Sequence, residues 1–258
     1  MTKGHVYLVG AGPGDPKLIT VYGLECIQKA DVILYDRLIS QELLTHAKEG
    51  AELIFCGKLP GKHELIQEEI HALLVQKANE GKVVTRLKGG DPAVFGRVGE
   101  EAEVLKNNDI KYEIIPGVTS GIAAAAYAGI PVTHRDYGSS FAMVTGHGRA
   151  SKGADHLNWD ALANGIDTIA FYMGIGNLTY ICQQMIAHGR SAHTPVAIIH
   201  WGTTTKQRTV TGTLLTIEEE VKKAAIIHPS IVLVGDVVNL REKLQWFEEA
   251  QTPLLQED

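Results

Sequence analysis

Residues 5–36, HVYLVGAGPGDPKLITVYGLECIQKADVILYD, read as strand, glycine-rich turn, helix and strand, and that order decides the fold. Val6, Tyr7, Leu8 and Val9 form a short apolar run cut off by Gly10, Gly12, Pro13 and Gly14, the pattern of a buried parallel strand ending in a tight loop. Asp15 and Pro16 open a helix. A carboxylate accepts from the free N–H groups of the first turn, and proline at the first helical position gives up a donor that has no partner there. Leu18, Ile19, Tyr22, Cys26 and Ile27 recur at three- and four-residue spacing, so one helix face lies on a sheet, and residues 32–35 make the next strand. Asp36 stands at that strand's carboxyl end, where ligands of open α/β sheets bind.

The glycines of this loop run G-x-G-x-G. The dinucleotide fingerprint wants G-x-G-x-x-G, and Asp15 holds the place of its third glycine. An acid at a helix mouth repels a pyrophosphate, so the loop suits close backbone approach to a ligand without phosphates. An NAD-dependent oxidoreductase using Gly10, Gly12 and Asp36 is the competing enzyme class, and a turn that merely joins strand to helix is the plain alternative.

The chain has 258 residues, 45% of them hydrophobic, enough for one large α/β unit or two domains. Lys plus Arg total 24 against 30 Asp plus Glu, a formal charge of −6, so no global basic field attracts nucleic acid or an anionic membrane. Cys26, Cys56 and Cys182 are scattered, which argues against a disulfide framework or a metal site; each reads as a small buried hydrophobe in a reducing compartment. No apolar run is long enough to span a membrane, and Gly10 interrupts any signal-peptide core, so a cytoplasmic protein is expected.

Ser40 caps a helix over 40–48, and 51–56 make a third strand. A glycine- and lysine-bearing loop, 57–63, precedes a helix over 64–79 with Leu65, Ile66, Ile70, Leu73 and Leu74 inward and Gly81 just past its end. Residues 83–87 form a fourth strand running into Lys88-Gly89-Gly90-Asp91-Pro92, a second glycine turn, and 112–115 form a fifth. Pro116-Gly117 is the domain boundary, giving α/β domains 1–116 and 117–258. Beyond it comes an alanine-rich helix, capped by Thr119 or Ser120, that packs closely on something flat. Strands follow at 141–145, 168–173, 195–200, 207–213 and 230–234, with helices at 177–188, 217–225 and 240–249. Thr203 to Thr205 alternate with 208–211 as in a hairpin, so the second sheet is expected to be mixed.

VGAGPGDPKLIT, ILYDRLIS, CGK, RLKGGDPAVFGR with GEE, PGVTS, PVTHRDYGSS, FYMG and TPVAIIHWGTTTKQR occur in the order and spacing of one family, over about residues 6–234. In these the chain resembles the tetrapyrrole methylases. The resemblance implies two α/β domains with S-adenosylmethionine held in the cleft between them. It implies methylation of two pyrrole carbons, C2 and C7, of uroporphyrinogen III, with a later precorrin methyltransferase as nearest rival and a tetrapyrrole carrier without chemistry as the non-enzyme alternative.

Carried over residue by residue, the resemblance implies cofactor contacts at Pro13, Gly89, Gly90, Asp91, Val94, Thr119, Ser120, Met173 and Gly202. Met173 reads otherwise as a core filler at a strand end. It implies Asp36 as proton acceptor, Lys58 as donor, and Arg97 and Glu100 orienting the substrate. Arg97 and Arg135, with Lys58, Lys62, His63 and His134, are expected to make an electropositive mouth for an octa-acid, since guanidinium groups hold carboxylates in fixed orientation. Each alternative stands beside these roles: a solvated surface arginine, an aspartate capping its own turn, a lysine that binds a carboxylate. Two positions depart from the family pattern, Val98 where glycine is expected and Leu59 where arginine is. A homodimer is expected from the family, and neither a metal, a membrane nor a nucleic acid partner.

Overall fold

β1 (His5–Gly10) is the hub of the first sheet, pairing in parallel with β4 (Val83–Lys88) on one side and β5 (Lys111–Ile115) on the other. The structure is a computed structural model that describes residues 3–57, 66–146 and 157–248. Its contacts divide the chain into two units, Met1–Thr119 and Ser120–Asp258. In the first, β2 (Val32–Tyr35) pairs with β4 and β3 (Glu52–Phe55) with β2, so the order is β3-β2-β4-β1-β5, all parallel. Strands buried on both faces need apolar side chains in both directions, as these runs supply. Val6, Leu8, Leu34 and Val84 pack under α2 (Gln67–Asn79) and α3 (Val98–Asn107). Val9, Ile33 and Leu87 pack on the other face against Cys26 and Ile27 of α1 (Val21–Lys29). With β4 lying between β1 and β2, the loops that follow these three strands leave the sheet side by side.

The helix expected from Asp15 comes in two pieces. Asp15 accepts from the Lys17 N–H at 2.9 Å, but it caps a single 3-10 turn, Pro16–Leu18. Ile19 then returns to extended backbone and Thr20 caps α1 afresh, accepting from the Gly23 N–H at 3.0 Å. Two strong capping side chains lie closer together than one helix can use, and the second starts the α-helix. The 40–48 segment is also 3-10, Gln41–His46, and Ser40 makes no capping bond there. Ile66 is exposed as the N-cap of α2 rather than inward, with Ile70 and Leu74 buried; residues 64 and 65 lie outside the described residues. Gly81, at φ +79°, carries the chain out of α2 past its Glu80 cap.

The second unit holds a mixed sheet. β6 (Phe141–Thr145) is parallel to β7 (Thr168–Tyr172), and β10 (Ser230–Val234), β8 (Pro195–His200) and β9 (Arg208–Thr213) add antiparallel in the order β6-β7-β10-β8-β9. The hairpin is β8 with β9, and Thr203 to Thr205 lie in its connection rather than in a strand, because Trp201 and Thr203 take left-handed backbone. α4 (Ser120–Tyr127) lays Ala124 and Ala125 on Ala170, Ala197 and Leu233, the close approach its small residues allow. On the opposite face α5 (Trp159–Gly165), α6 (Leu178–Ala187) and α7 (Ile217–Lys223) cover Ile169, Phe171, Ile198 and Val232.

The helix expected over 240–249 is shorter. A 3-10 turn, Asp236–Leu240, leads into α8 (Arg241–Leu244), and the chain then leaves the helix. Glu248 explains the exit: its carboxylate accepts from Gln207 Nε2 at 2.8 Å, from Arg241 Nη2 at 2.7 Å and from the Thr209 hydroxyl, which pulls the segment onto edge strand β9. Among the described residues no helix is long and apolar enough to cross a membrane.

Candidate active site

Three backbone segments of the first unit cross at glycine. Gly12 and Gly90 exchange hydrogen bonds, Gly90 N–H to Gly12 O at 2.7 Å and the reverse at 3.2 Å, zipping the β1 loop to the β4 loop. A Cβ on Gly10 would fall 2.7 Å from the Gly117 Cα and from the Gly90 O, so only bare backbone fits. Asp91 fastens the third segment, its Oδ2 accepting from the Gly117 N–H at 2.9 Å and its Oδ1 from the Ala93 N–H at 2.7 Å. The close approach read from the glycines is thus first an approach of loops to one another. It brings Pro13, Gly89, Gly90 and Asp91 together, with Thr119 two residues beyond Gly117. The same crossing decides against a dinucleotide on this turn, because the Ala11 and Gly12 N–H groups are given to Lys88 O and Gly90 O.

Beneath this crossing lies a buried charge cluster. On β4, Val84, Arg86 and Lys88 share one face by strand alternation, and α3 presents Glu101 to it. The side chains of Arg86, Lys88 and Glu101 are 3%, 6% and 0% exposed. Glu101 Oε1 accepts from Lys88 Nζ at 2.8 Å and from Arg86 Nε at 3.2 Å, and Arg86 Nη2 reaches Asp36 Oδ1 at 2.6 Å. Burial lowers the Lys88 amine below its ordinary range, and neighbouring Arg86 pushes it the same way. Burial opposes the Arg86 charge too, but Asp36 and Glu101 more than offset it and its pKa rises. Arg86 Nη1 and Glu101 Oε2 take no partner among the described residues, the mark of a network not made for stability alone.

Asp36, just past β2, keeps a third of its side chain open, 33%, beside this cluster. Leu38, on the same loop, lies against Gly89, where an added Cβ would sit 3.2 Å from the Leu38 Cβ. Arg97 takes left-handed backbone at φ +58° and starts α3, forking onto Glu100 at 2.9 and 2.6 Å. That hydrogen bond holds the Glu100 carboxyl below its usual range. Val98 points into the core at 8% exposure, so the departure from glycine fills space under β1 and is not presented to a ligand. Val94 closes the turn by donating its N–H to Asp91 O at 3.3 Å.

In the second unit the candidates gather on the first turns of α4. The Gly121 N–H donates to the Tyr172 hydroxyl at 2.6 Å, which sets Ser120 beside the carboxyl end of β7 and hence beside Met173. Gly202 packs so closely on Ala124 that no side chain fits between them. Met173 is 54% exposed at φ +55°, which rules out the core-filler reading. Among the described residues seven non-glycine positions have positive φ, and five of them, Phe95, Arg97, Met173, Trp201 and Thr203, lie on the loops after β4, β7 and β8. Such strain gathers where a backbone must present a fixed shape. Arg135 is exposed on a turn closed by His134 and Gly138 and is not drawn into this group. Lys58, Leu59, Lys62 and His63 lie outside the described residues.

Sequence reasoning passes over Arg86, Lys88, Glu101 and Tyr172. The signal for the first three is two basic residues at alternate positions of an otherwise apolar central strand, followed by an acid on the next helix. Tyr172 carries none, since a tyrosine ending a strand is common.

Parallel strands ending in interlocked glycine loops, with a carboxylate held at one strand end, define an open α/β fold with its candidate residues at the edge where such sheets bind ligands. The family model for tetrapyrrole (corrin/porphyrin) methylases matches residues 5–218, and the chain belongs to that family. It is 63% identical over 236 residues to the uroporphyrinogen-III C-methyltransferase of Priestia megaterium, covering 92% of this chain and 99% of that one. The solved uroporphyrin-III C-methyl transferase from Thermus thermophilus, complexed with S-adenyl homocysteine, is 37% identical with a TM-score of 0.78, covering 92% of this chain and all of that one, 100%. A cobalt precorrin-4 methyltransferase of cobalamin biosynthesis superposes with a TM-score of 0.81 at 33% identity over 91% of this chain and 95% of that one.

Proposed function

We propose that this protein transfers methyl groups from S-adenosylmethionine to two pyrrole carbons of uroporphyrinogen III, C2 and C7, giving precorrin-2 by way of precorrin-1 for sirohaem and cobalamin synthesis. Near-full-length likeness to the Priestia enzyme carries the reading, and its 63% sequence identity, against 33% to the precorrin-4 enzyme, favours the earlier substrate. The residues fit the donor: bare backbone at Gly89 and Gly90, an exposed thioether at Met173, and a carboxylate, Asp15, on the turn after β1 where a phosphate would be repelled. When bound, S-adenosylmethionine supplies an electrophilic methyl group on a sulfonium.

The chain's own part is alignment and proton removal. Pro13, Gly89, Gly90, Asp91, Val94, Thr119, Ser120, Met173 and Gly202 are read as donor contacts. Asp91 keeps a further lone pair on each oxygen while tying its loop. The attacked ring becomes cationic as its carbon gains the methyl group, and the Asp36 carboxylate accepts the proton that restores it. Lys58 is read as the matching donor. Arg97, Arg135, Lys62 and His63 are read as holding the substrate's carboxylates, and Glu100, which accepts from Arg97, as orienting the substrate with it. The enzyme is read as a cytoplasmic homodimer, with three buried thiols in keeping with a reducing compartment.

Mass spectrometry of the pigment formed from uroporphyrinogen III and S-adenosylmethionine tests the reading. Two added methyl groups are expected; an unmethylated pigment would end it.

A further inference from the structure

We propose that Arg86 is a positioning residue for methyl transfer: its guanidinium fork fixes Asp36 and Glu101 at once, so that the Asp36 carboxylate meets the substrate in one orientation. This rests on reading Asp36 as the proton acceptor. Arg86 sits on the central strand in register with Leu8 and Leu34, a place where an apolar side chain would cost less. Stability therefore does not account for it. Charge does: Arg86 and Lys88 bring two basic groups to the buried cluster and Glu101 one acid, and Asp36 is the second acid that Arg86 reaches.

The geometry is directional. Nη2 holds Asp36 Oδ1 at 2.6 Å and Nε holds Glu101 Oε1 at 3.2 Å, so the plane of the guanidinium is fixed at two corners, and the Asp36 carboxylate is held through Oδ1 while a third of its side chain stays open. Lys88 and Gln67 grip the same Glu101 oxygen, at 2.8 and 3.3 Å, and anchor the far end of the fork. A lysine at position 86 would keep the charge but contact one carboxylate as a point, without fixing its plane.

R86K is the test. Its kcat is expected to fall about tenfold to a hundredfold, the cost of a misaligned group, with uroporphyrinogen III KM, S-adenosylhomocysteine affinity and melting temperature close to wild type. In a D36N background, which lowers turnover by itself, R86K should add nothing. If R86K keeps full kcat while D36N loses it, Arg86 does not position Asp36, although Asp36 remains the acceptor. If D36N keeps full turnover, the acceptor reading falls and this inference with it. A parallel loss of cofactor affinity and melting temperature in R86K would mark Arg86 as structural and overturn the proposal. Should R86K not fold, E101D preserves every charge and draws the anchor of Arg86 back by one methylene; the same kcat loss is expected, and an unchanged kcat overturns the proposal.

Discussion

The first unit buries Arg86, Lys88 and Glu101 between a parallel sheet and a helix, whereas the buried polar residues described in the second, Thr168, Thr194, Thr203 and Gln207, are all neutral. The second unit carries left-handed backbone at Met173, Trp201 and Thr203, on loops that follow its strands, as the first does at Phe95 and Arg97 after β4, but has no such buried charge among its described residues. The difference teaches that fixed charge and fixed shape are separate devices. Charge held in a low-dielectric core fixes the orientation of a carboxylate such as Asp36, while strained backbone fixes the shape of a loop.

If that contrast is right, the largest stability loss comes from unbalancing the charges. E101L leaves two buried cations with one partly exposed anion and should cost about 3–5 kcal/mol in urea denaturation. A loss below about 1 kcal/mol would show that the cluster is far wetter than its burial implies. In the second unit the effect should run the other way. M173G relieves left-handed strain at an exposed position and should stabilise by about 1 kcal/mol, while S-adenosylhomocysteine affinity falls about tenfold with the lost side-chain contact. A variant both less stable and unimpaired in binding would break the link between strain and function.

The smallest effect is at Asp167, whose Oδ2 accepts from the Ser140 hydroxyl at 2.8 Å and from the Ser139 and Ser140 N–H groups at 2.8 and 3.0 Å. These bonds, the Ser140 hydroxyl foremost, hold its carboxyl below the usual range. A lowered folded-state pKa means stability that is present above the unfolded value and lost as pH falls through the folded one. D167N should therefore cost about 0.5–1 kcal/mol at neutral pH, and its melting curve should begin to close on wild type as pH falls below about 4, meeting it only below the lowered folded-state value. A gap that keeps its full neutral-pH size at about pH 2 would assign the effect to shape rather than charge.

The strands are legible in the sequence because apolar runs such as 32–35 and 230–234 admit no other burial, and the turns because Gly10, Gly12 and Gly90 interrupt them. Helix type is less so. Asp15 and Thr20 are equally good caps on paper, and only packing decides that the first starts a 3-10 turn and the second an α-helix. The buried charges escape a reading by periodicity, which ends the strand at 87 and leaves Lys88 in the glycine turn; what decides otherwise is α3 crossing over β4 with Glu101 inward. Candidate roles at Pro13, Met173 and Gly202 come from resemblance, and neither hydropathy nor spacing would have singled them out.

The glycine crossing has a consequence for anyone reshaping substrate choice by directed evolution. Libraries spread over the β1 and β4 loops would be filtered at Gly10 and Gly117, where one methyl group displaces a neighbouring segment, and at Gly90, whose φ of +69° favours glycine. Diversity is best placed outboard of that joint, at Ala93, Val94 and Phe95, where side chains are open to solvent or half so and the hinge beneath them keeps its register.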